Sequence, residues 1–575
     1  GDTHSYNTAV GYEAGRDNNG QENTYVGYFA GRLSTGGNEC TFVGSNAGYK
    51  NASSDNTAVG RYALYNNIAA YNTGIGHQAG YGVTTGAFNT FVGERTGGSM
   101  GAGAGNVGVG RRSLYQATSS NNTCVGMQAG YGITSGNSNI AIGNGAMEVA
   151  LTTGDDNVVV GTSAGTNLTS GNKNVVIGNS AGYAITTSVH TVAVGHEALK
   201  ALVDGAHNVA VGAFALLRVT SGGVNVAMGL AAGSNITTGS HNTCLGYDSF
   251  QAVVGAGYNT GVGSSTGVYQ TGNYNTAVGY FSQYGVSGSS SGSYNTTSGY
   301  FAGAYNRGEN NTFLGAIAGR FNSTGSRNTI VGSQASDNLV ITGSDNTVMG
   351  FAAAQNLTSG YENILIGKAA GQSSGLTGAG NIGIGISALN ATSGSSNIAI
   401  GYNSMRGNVV TGSHNTCVGD ASGNEITSGA NNTFIGKDSG RSNSPSGVIT
   451  SQSNRVVLGD NSVTHLYCKI STITTSDRRD KGKFEDIELG LDFVNKLKPT
   501  AFEFKIEGRR DTEETDGIKR YGFIAQDILE LEKDNPVIID NSRPDNLLYN
   551  QGNLIPILVN AIQELKAEIE LLKSK

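Results

Sequence analysis

The chain has 575 residues with 89 glycines, no tryptophan, 13% charged residues and a formal net charge of −7. That composition excludes an ordinary globular enzyme, and without a Lys/Arg cluster interleaved with aromatics it excludes electrostatic capture of nucleic acid or of an anionic membrane. No apolar run is long enough to span a bilayer, so no membrane insertion is expected.

The sequence starts at Gly1 with neither a start methionine nor a secretion signal, and the true N-terminus is expected upstream. Cys40, Cys124, Cys244, Cys417 and Cys468 are odd in number and far apart, neither a disulfide framework nor a zinc spacing, and read as small apolar fillers. Composition also marks a boundary. Residues 476–575 hold 37 charges, four of the five prolines and 6 glycines, against 40 charges and 83 glycines in the 475 residues before them. We therefore expect a repeat shaft over 1–460, a connector over 461–475 and a separate α+β domain over 476–575.

The shaft repeats Asn-Thr-x-Val-Gly, as in NTAVG (Asn7–Gly11), NTYVG (Asn23–Gly27) and NTFVG (Asn89–Gly93), almost always with a step of 16 to 18 residues. Such a step holds two short strands and two tight turns but no helix, which predicts a mainly β fold, a parallel β-solenoid of about 26 coils and about 125 Å. The aliphatic residue before the glycine (Val10, Val26, Val43, Val59, Ile75, Val92) is expected to fill each coil together with the Thr or Val two residues earlier. The Ala three residues after the glycine (Ala30, Ala47, Ala63) suits a thin coil. TSG, TTG and SGxxN segments supply turns in which Gly and Asn accept positive φ.

On that alternation the position two before the glycine faces outward, yet it holds Tyr25, Phe42, Phe91, Cys124, Cys244, Phe313, Cys417 and Phe434. Outward apolar groups imply lateral packing in a closed oligomer, the alternative being a partly exposed ladder along the stack. The 26 tyrosines could offer sugar-stacking faces, though cross-strand ladders account for most of them.

The NTAVGxxAG unit at this period resembles the left-handed β-roll of trimeric autotransporter adhesin heads, also common in phage fibres. The resemblance implies threefold bundles. Ser298, where the aliphatic is lost, and the long step from Gly279 to Gly299 depart from it and read as an excursion within the array.

After the shaft come TTSDRRDKGKFEDIELGLDFVNKLKPTAFEFK, YGFIAQDI and LIPILVNAIQELKAEIELLKSK. In order and over all one hundred residues these resemble the endosialidase-type intramolecular chaperone at the C-terminus of phage tail fibres and tailspikes. The resemblance implies autocleavage between Thr475 and Ser476, with Ser476 as nucleophile and Lys481 as base. Asp477, Arg478, Arg479 and Asp480 would modulate the dyad. Lysine chemistry of this kind needs desolvation or neighbouring positive charge, which Arg478 and Arg479 could supply. Asp480 departs from the family's usual apolar residue and opposes it, and SDRRDK alone also reads as a solvated turn.

Further along, Leu491, Val494 and Leu497 predict a helix from about Leu489 to Lys498 ended by Pro499. TAFEFK alternates as a strand, Tyr521–Ala525 suggests another, and Gln526 and Asp527 start a helix. Ile555, Leu558, Ile562, Leu565, Ile569 and Leu572, spaced 3, 4, 3, 4, 3, form a heptad seam. Ile-at-a with Leu-at-d favours two strands on its own, whereas the resemblance implies three.

The function expected is a virion tail-fibre protein, assembled in the host cytoplasm as a homotrimer. It would contact other tail proteins and a host cell-surface receptor, a glycan being one candidate. The alternatives are a polysaccharide-degrading tailspike, which needs paired carboxylates on a folded insert, and a bacterial surface adhesin, which needs an anchor. An ice-binding solenoid would need an uninterrupted Thr array. No cofactor or metal is expected: the HNTC copies His241–Cys244 and His414–Cys417 are each one repeat unit.

Overall fold

The computed structural model describes residues 5–575 apart from 150, 290, 373–374, 391–392, 408, 465, 467–477, 506–512, 534–535, 543 and 545–546. The chain divides into two compact units, Gly1–Ser396 and Asn397–Lys575. In the first, strands β1 (Thr8–Val10) to β23 (Ile382–Ile384) stack as a parallel solenoid with each repeat in register on the next, as in Val192↔Val209↔Val226. The second unit opens with four more such strands, β24 (Ile398–Ile400) to β27 (Val456–Leu458), and ends in a small α/β region.

Each coil contributes one strand of three residues, where the sequence led us to expect two longer ones. The opposite wall is a chain of turns. Two and four residues after the conserved glycine the backbone is left-handed, as at Gln128 (φ 57°) and Gly130 (φ 59°), and alternating αL residues cannot lie in a β-strand. That wall is still bonded coil to coil, Gly130 N–H donating to the Ala146 carbonyl at 2.8 Å.

The strand faces are inverted relative to the expectation. Tyr25, Phe42, Phe91, Cys124, Cys244, Phe313, Cys417 and Phe434 point inward and are buried, while the residues on either side point out. Period-2 alternation makes a one-residue error in phase exchange the whole set of faces. Inside, volume is balanced across the thin coil. Where the strand centre is aromatic, the facing left-handed position is glycine: a Cβ on Gly48 would lie 2.5 Å from the Phe42 ring, and one on Gly97 2.7 Å from Phe91. Where the centre is Ala58, Ala193 or Ala210, the same position holds buried Leu64, Leu199 or Leu216. Ala30, Ala47 and Ala63 are fully buried, as a thin coil requires.

Most strands are preceded by a buried asparagine that is not a turn residue but a rung. The Asn157 N–H and Nδ2 both donate to Asn139 Oδ1 (3.0 Å each), Nδ2 also reaches the Gly171 carbonyl (2.9 Å), and the Asn174 N–H returns to Asn157 Oδ1 (3.0 Å). This uncharged ladder satisfies the strand-entry amides and turn carbonyls that burial would otherwise orphan. In the coil just before the lengthened one, Asn275 Nδ2 and both amide atoms of Gln270 are buried without a protein partner, while Asn275 Oδ1 still accepts the Asn295 N–H (2.9 Å) and carries the ladder across. The strands Thr276–Val278 and Thr296–Ser298 nevertheless pair in register, so the extra residues form an excursion within the array.

The residue immediately before the rung is left-handed in coil after coil, including Tyr258 (φ 61°), Asn310 (φ 58°) and, in the costly β-branched form, Val224 (φ 59°). Val224→Asn is expected to stabilise its coil by about 1 kcal/mol, slowing local amide exchange about fivefold.

Candidate functional site

The residues of the predicted cleavage motif lie at the edge of what the structure describes. Thr475, Ser476 and Asp477 fall outside the described residues, as does the side chain of Asp480. Arg478–Asp480 forms a 3₁₀ turn, with the Lys481 N–H donating to the Arg478 carbonyl at 3.3 Å. The Arg478 guanidinium lies 5.0 Å from the centroid of the Phe484 ring. Arg478, Arg479 and Lys481 are exposed in the single chain.

Downstream, helix α1 is confined to Leu491–Val494, shorter than the helix expected over 489–498; a hydrogen-bonded turn carries on to Leu497 and Pro499 follows. β28 (Thr500–Phe502) pairs antiparallel with β29 (Arg520–Gly522); both strands are shorter than the stretches expected over TAFEFK and Tyr521–Ala525, and α2 (Ala525–Glu532) already starts at Ala525. β30 (Ile539–Asp540) then pairs with β31 (Leu548–Tyr549) ahead of α3 (Gln551–Ser574).

Three polar side chains absent from the sequence-based expectations hold this region together. The buried Glu532 carboxylate accepts the backbone N–H groups of Val537 (2.7 Å), Ile538 (2.5 Å) and Ile539 (3.0 Å). On α3, Asn560 Nδ2 donates to the Ile487 and Leu489 carbonyls (3.1 and 3.2 Å), and Glu564 Oε2 accepts the Leu491 N–H (2.6 Å). The segment leading from the cleavage motif into α1 is thus tied to α3. Nothing in the residue types distinguished these three from solvated helix positions.

Helix α3 carries two apolar faces. Leu554, Ile557 and Ala561 are buried, the first two in a core with Phe493, Ile528, Ile538 and Ile539. The heptad residues Ile555, Leu558, Ile562, Leu565, Ile569 and Leu572 are all exposed, Ile562 by 64%.

On the shaft, inversion of the strand faces places the aliphatic residues before the glycines outside. Val59, Ile75, Ile142, Ile177, Met228 and Met349 are exposed in one apolar column, flanked by a second of Thr, Val and Ile. At the turn edge, aromatic residues stack face to face: Tyr258–Tyr274 and Tyr274–Tyr294 at 4.9 Å, and Tyr49–Tyr65 at 4.9 Å. These are cross-coil ladders whose ring faces are occupied by one another. The four cysteines among the described residues are buried, and burial pushes the thiols of Cys124, Cys244 (to about 12) and Cys417 upward, which suits fillers rather than reactive groups. Cys468 lies outside the described residues.

Among the described residues no helix is long and apolar enough to cross a membrane. No curated protein and no solved structure matches the chain. Residues 476–535, at the start of the C-terminal region, match the family model described as chaperone of endosialidase.

Proposed function

We propose that the chain is a phage tail-fibre protein whose solenoid is a host-attachment shaft. Its C-terminal domain, residues 476–575, aligns three copies during folding and is then cut off. The observation that carries this reading is the chaperone match at 476–535 directly behind a parallel solenoid. In-register stacking of identical coils is slow and open to slippage, so a separately folding oligomeric template has a physical task.

Two exposed apolar features support oligomerisation: the heptad face of α3 and the aliphatic column of the shaft. The column repeats once per coil, so a surface of the same period, another copy of the chain, fits it along its length. The adhesin-head resemblance of the repeats points the same way. The receptor would be on the host cell, and an occupied aromatic ladder favours recognition by ring edges and hydroxyls over stacking of a sugar on a ring face.

In the cleavage step, Ser476 Oγ attacks the Thr475 carbonyl carbon while Lys481 takes the hydroxyl proton. The amide C–N bond breaks, the Ser476 nitrogen leaves as an amine, and water hydrolyses the resulting ester to a Thr475 carboxylate. Lys481 is exposed in the single chain. The desolvation its role calls for would come from neighbouring copies, making cleavage follow assembly.

Intact mass and native mass of freshly expressed protein test both parts. Wild type is expected to split between Thr475 and Ser476 and to run as a trimer, Ser476→Ala to remain a whole trimer, and Ile562→Asp to be monomeric and uncut. A full-length wild-type trimer would remove the catalytic role of Ser476 and Lys481. A monomeric wild type would remove the template role.

A further inference from the structure

His190 and His207 occupy equivalent positions on adjacent coils, each immediately before the strand-entry residue. Both backbones are left-handed (φ 53° and 60°), so the two side chains leave the chain in nearly the same direction. Coil-to-coil hydrogen bonds fix the spacing, the His190 N–H donating to the Asn172 carbonyl and the His207 N–H to the Val189 carbonyl, both at 3.1 Å. The imidazoles are exposed and nearly parallel (7°), with centroids 5.4 Å apart.

That separation is wider than the stacks elsewhere in the same column, 4.7 Å for His241–Tyr258 and 4.9 Å for Tyr258–Tyr274. The pair is therefore less engaged ring on ring than its neighbours, and modest rotation about the side-chain torsions can turn one nitrogen of each ring toward a common point. Along the column Lys173 precedes His190 and Val224 follows His207, so no carboxylate occupies either adjacent rung.

We propose that His190 and His207 form a two-imidazole site for a borderline divalent transition ion, tightest for Cu²⁺ in the usual order of first-row affinities. Neutral imidazole nitrogens are ordinary ligands for such ions at about 2.0–2.1 Å, and the coil-to-coil hydrogen bonds fix the backbone spacing of the pair, so that binding has only the side-chain torsions to order. No group of three or more His, Cys, Asp or Glu able to hold a metal occurs among the described residues, so two protein ligands leave the remaining positions to water or an added chelator. The site is independent of the virion reading above.

The probe is Cu²⁺–iminodiacetate, which offers two adjacent open positions and so selects paired imidazoles over single ones. It would be titrated calorimetrically into the full-length chain, with electron paramagnetic resonance of the complex. The expected result is one complex per chain with two coordinated imidazole nitrogens. Binding should weaken by at least about tenfold in His190→Asn and in His207→Asn, and stay unchanged in His241→Asn. Asparagine occupies the same left-handed column at Asn121, Asn310 and Asn431, so these variants should keep the fold. Binding that survives loss of either His190 or His207, or no binding by the wild type, overturns the proposal.

Discussion

Gly76→Ala is expected to destabilise its coil by about 3 kcal/mol or more, one of the largest effects any methyl group could have in this protein. Gly76 has φ +132°, and a Cβ there would sit 2.7 Å from the carbonyl oxygen of Gly93 on the next coil. Two penalties combine: a backbone conformation that L-residues avoid, and a clash with main chain that cannot step aside. Gly101→Ala separates them. Gly101 also has positive φ (+64°) but open space around its Cβ, so its cost should be about 1–2 kcal/mol. In a solenoid each coil contacts mainly its neighbours, so damage should stay local. Amide exchange should accelerate in the coils around Gly76 and Gly93 and be unchanged near Tyr258. Equal costs at Gly76 and Gly101 would show that coil-to-coil contact at the glycine column is not what demands glycine.

Phe91→Ala should cost about 3–5 kcal/mol, whereas Val92→Ala in a separate chain should cost about 1 kcal/mol or less. The difference follows from the strand's phase: Phe91 is fully buried, Val92 only partly. The volume rule sharpens the test. Gly97→Leu alone should be severely destabilising because its Cβ would meet the Phe91 ring at 2.7 Å. Combined with Phe91→Ala it recreates the native pairing of Ala58 with Leu64 and should recover much of the loss, giving a large favourable coupling in a double-mutant cycle of the unfolding free energies. Simple addition of the two penalties would mean that the interior is not balanced across the coil.

The repeat period determined a great deal without any coordinates. A step of 16 to 18 residues ending in an aliphatic residue and glycine leaves room for a stacked β coil and for little else, and parallel in-register strands follow from the identity of successive repeats. The compositional shift near residue 476 and the segments that follow it pointed to the likeness that the family model finds over residues 476–535, because the residue types change there together.

What only the tertiary structure decided is which way each coil faces. Outward Val and Ile are more uniformly apolar than the inward position, which ranges from Gly and Ala through Cys, Thr, Val, Ile and Leu to Phe and Tyr according to what stands across from it. Apolarity along the sequence therefore pointed to the wrong face. The inward residue's size makes sense only beside its partner six residues later in the turn, and the buried role of asparagine only beside the asparagine of the adjacent coil. Both pairings are fixed by stacking, a long-range constraint that local alternation does not carry. In the C-terminal region the same limit applies to Asn560 and Glu564, which are ordinary helix polars until the chain brings Leu489 and Leu491 back against them.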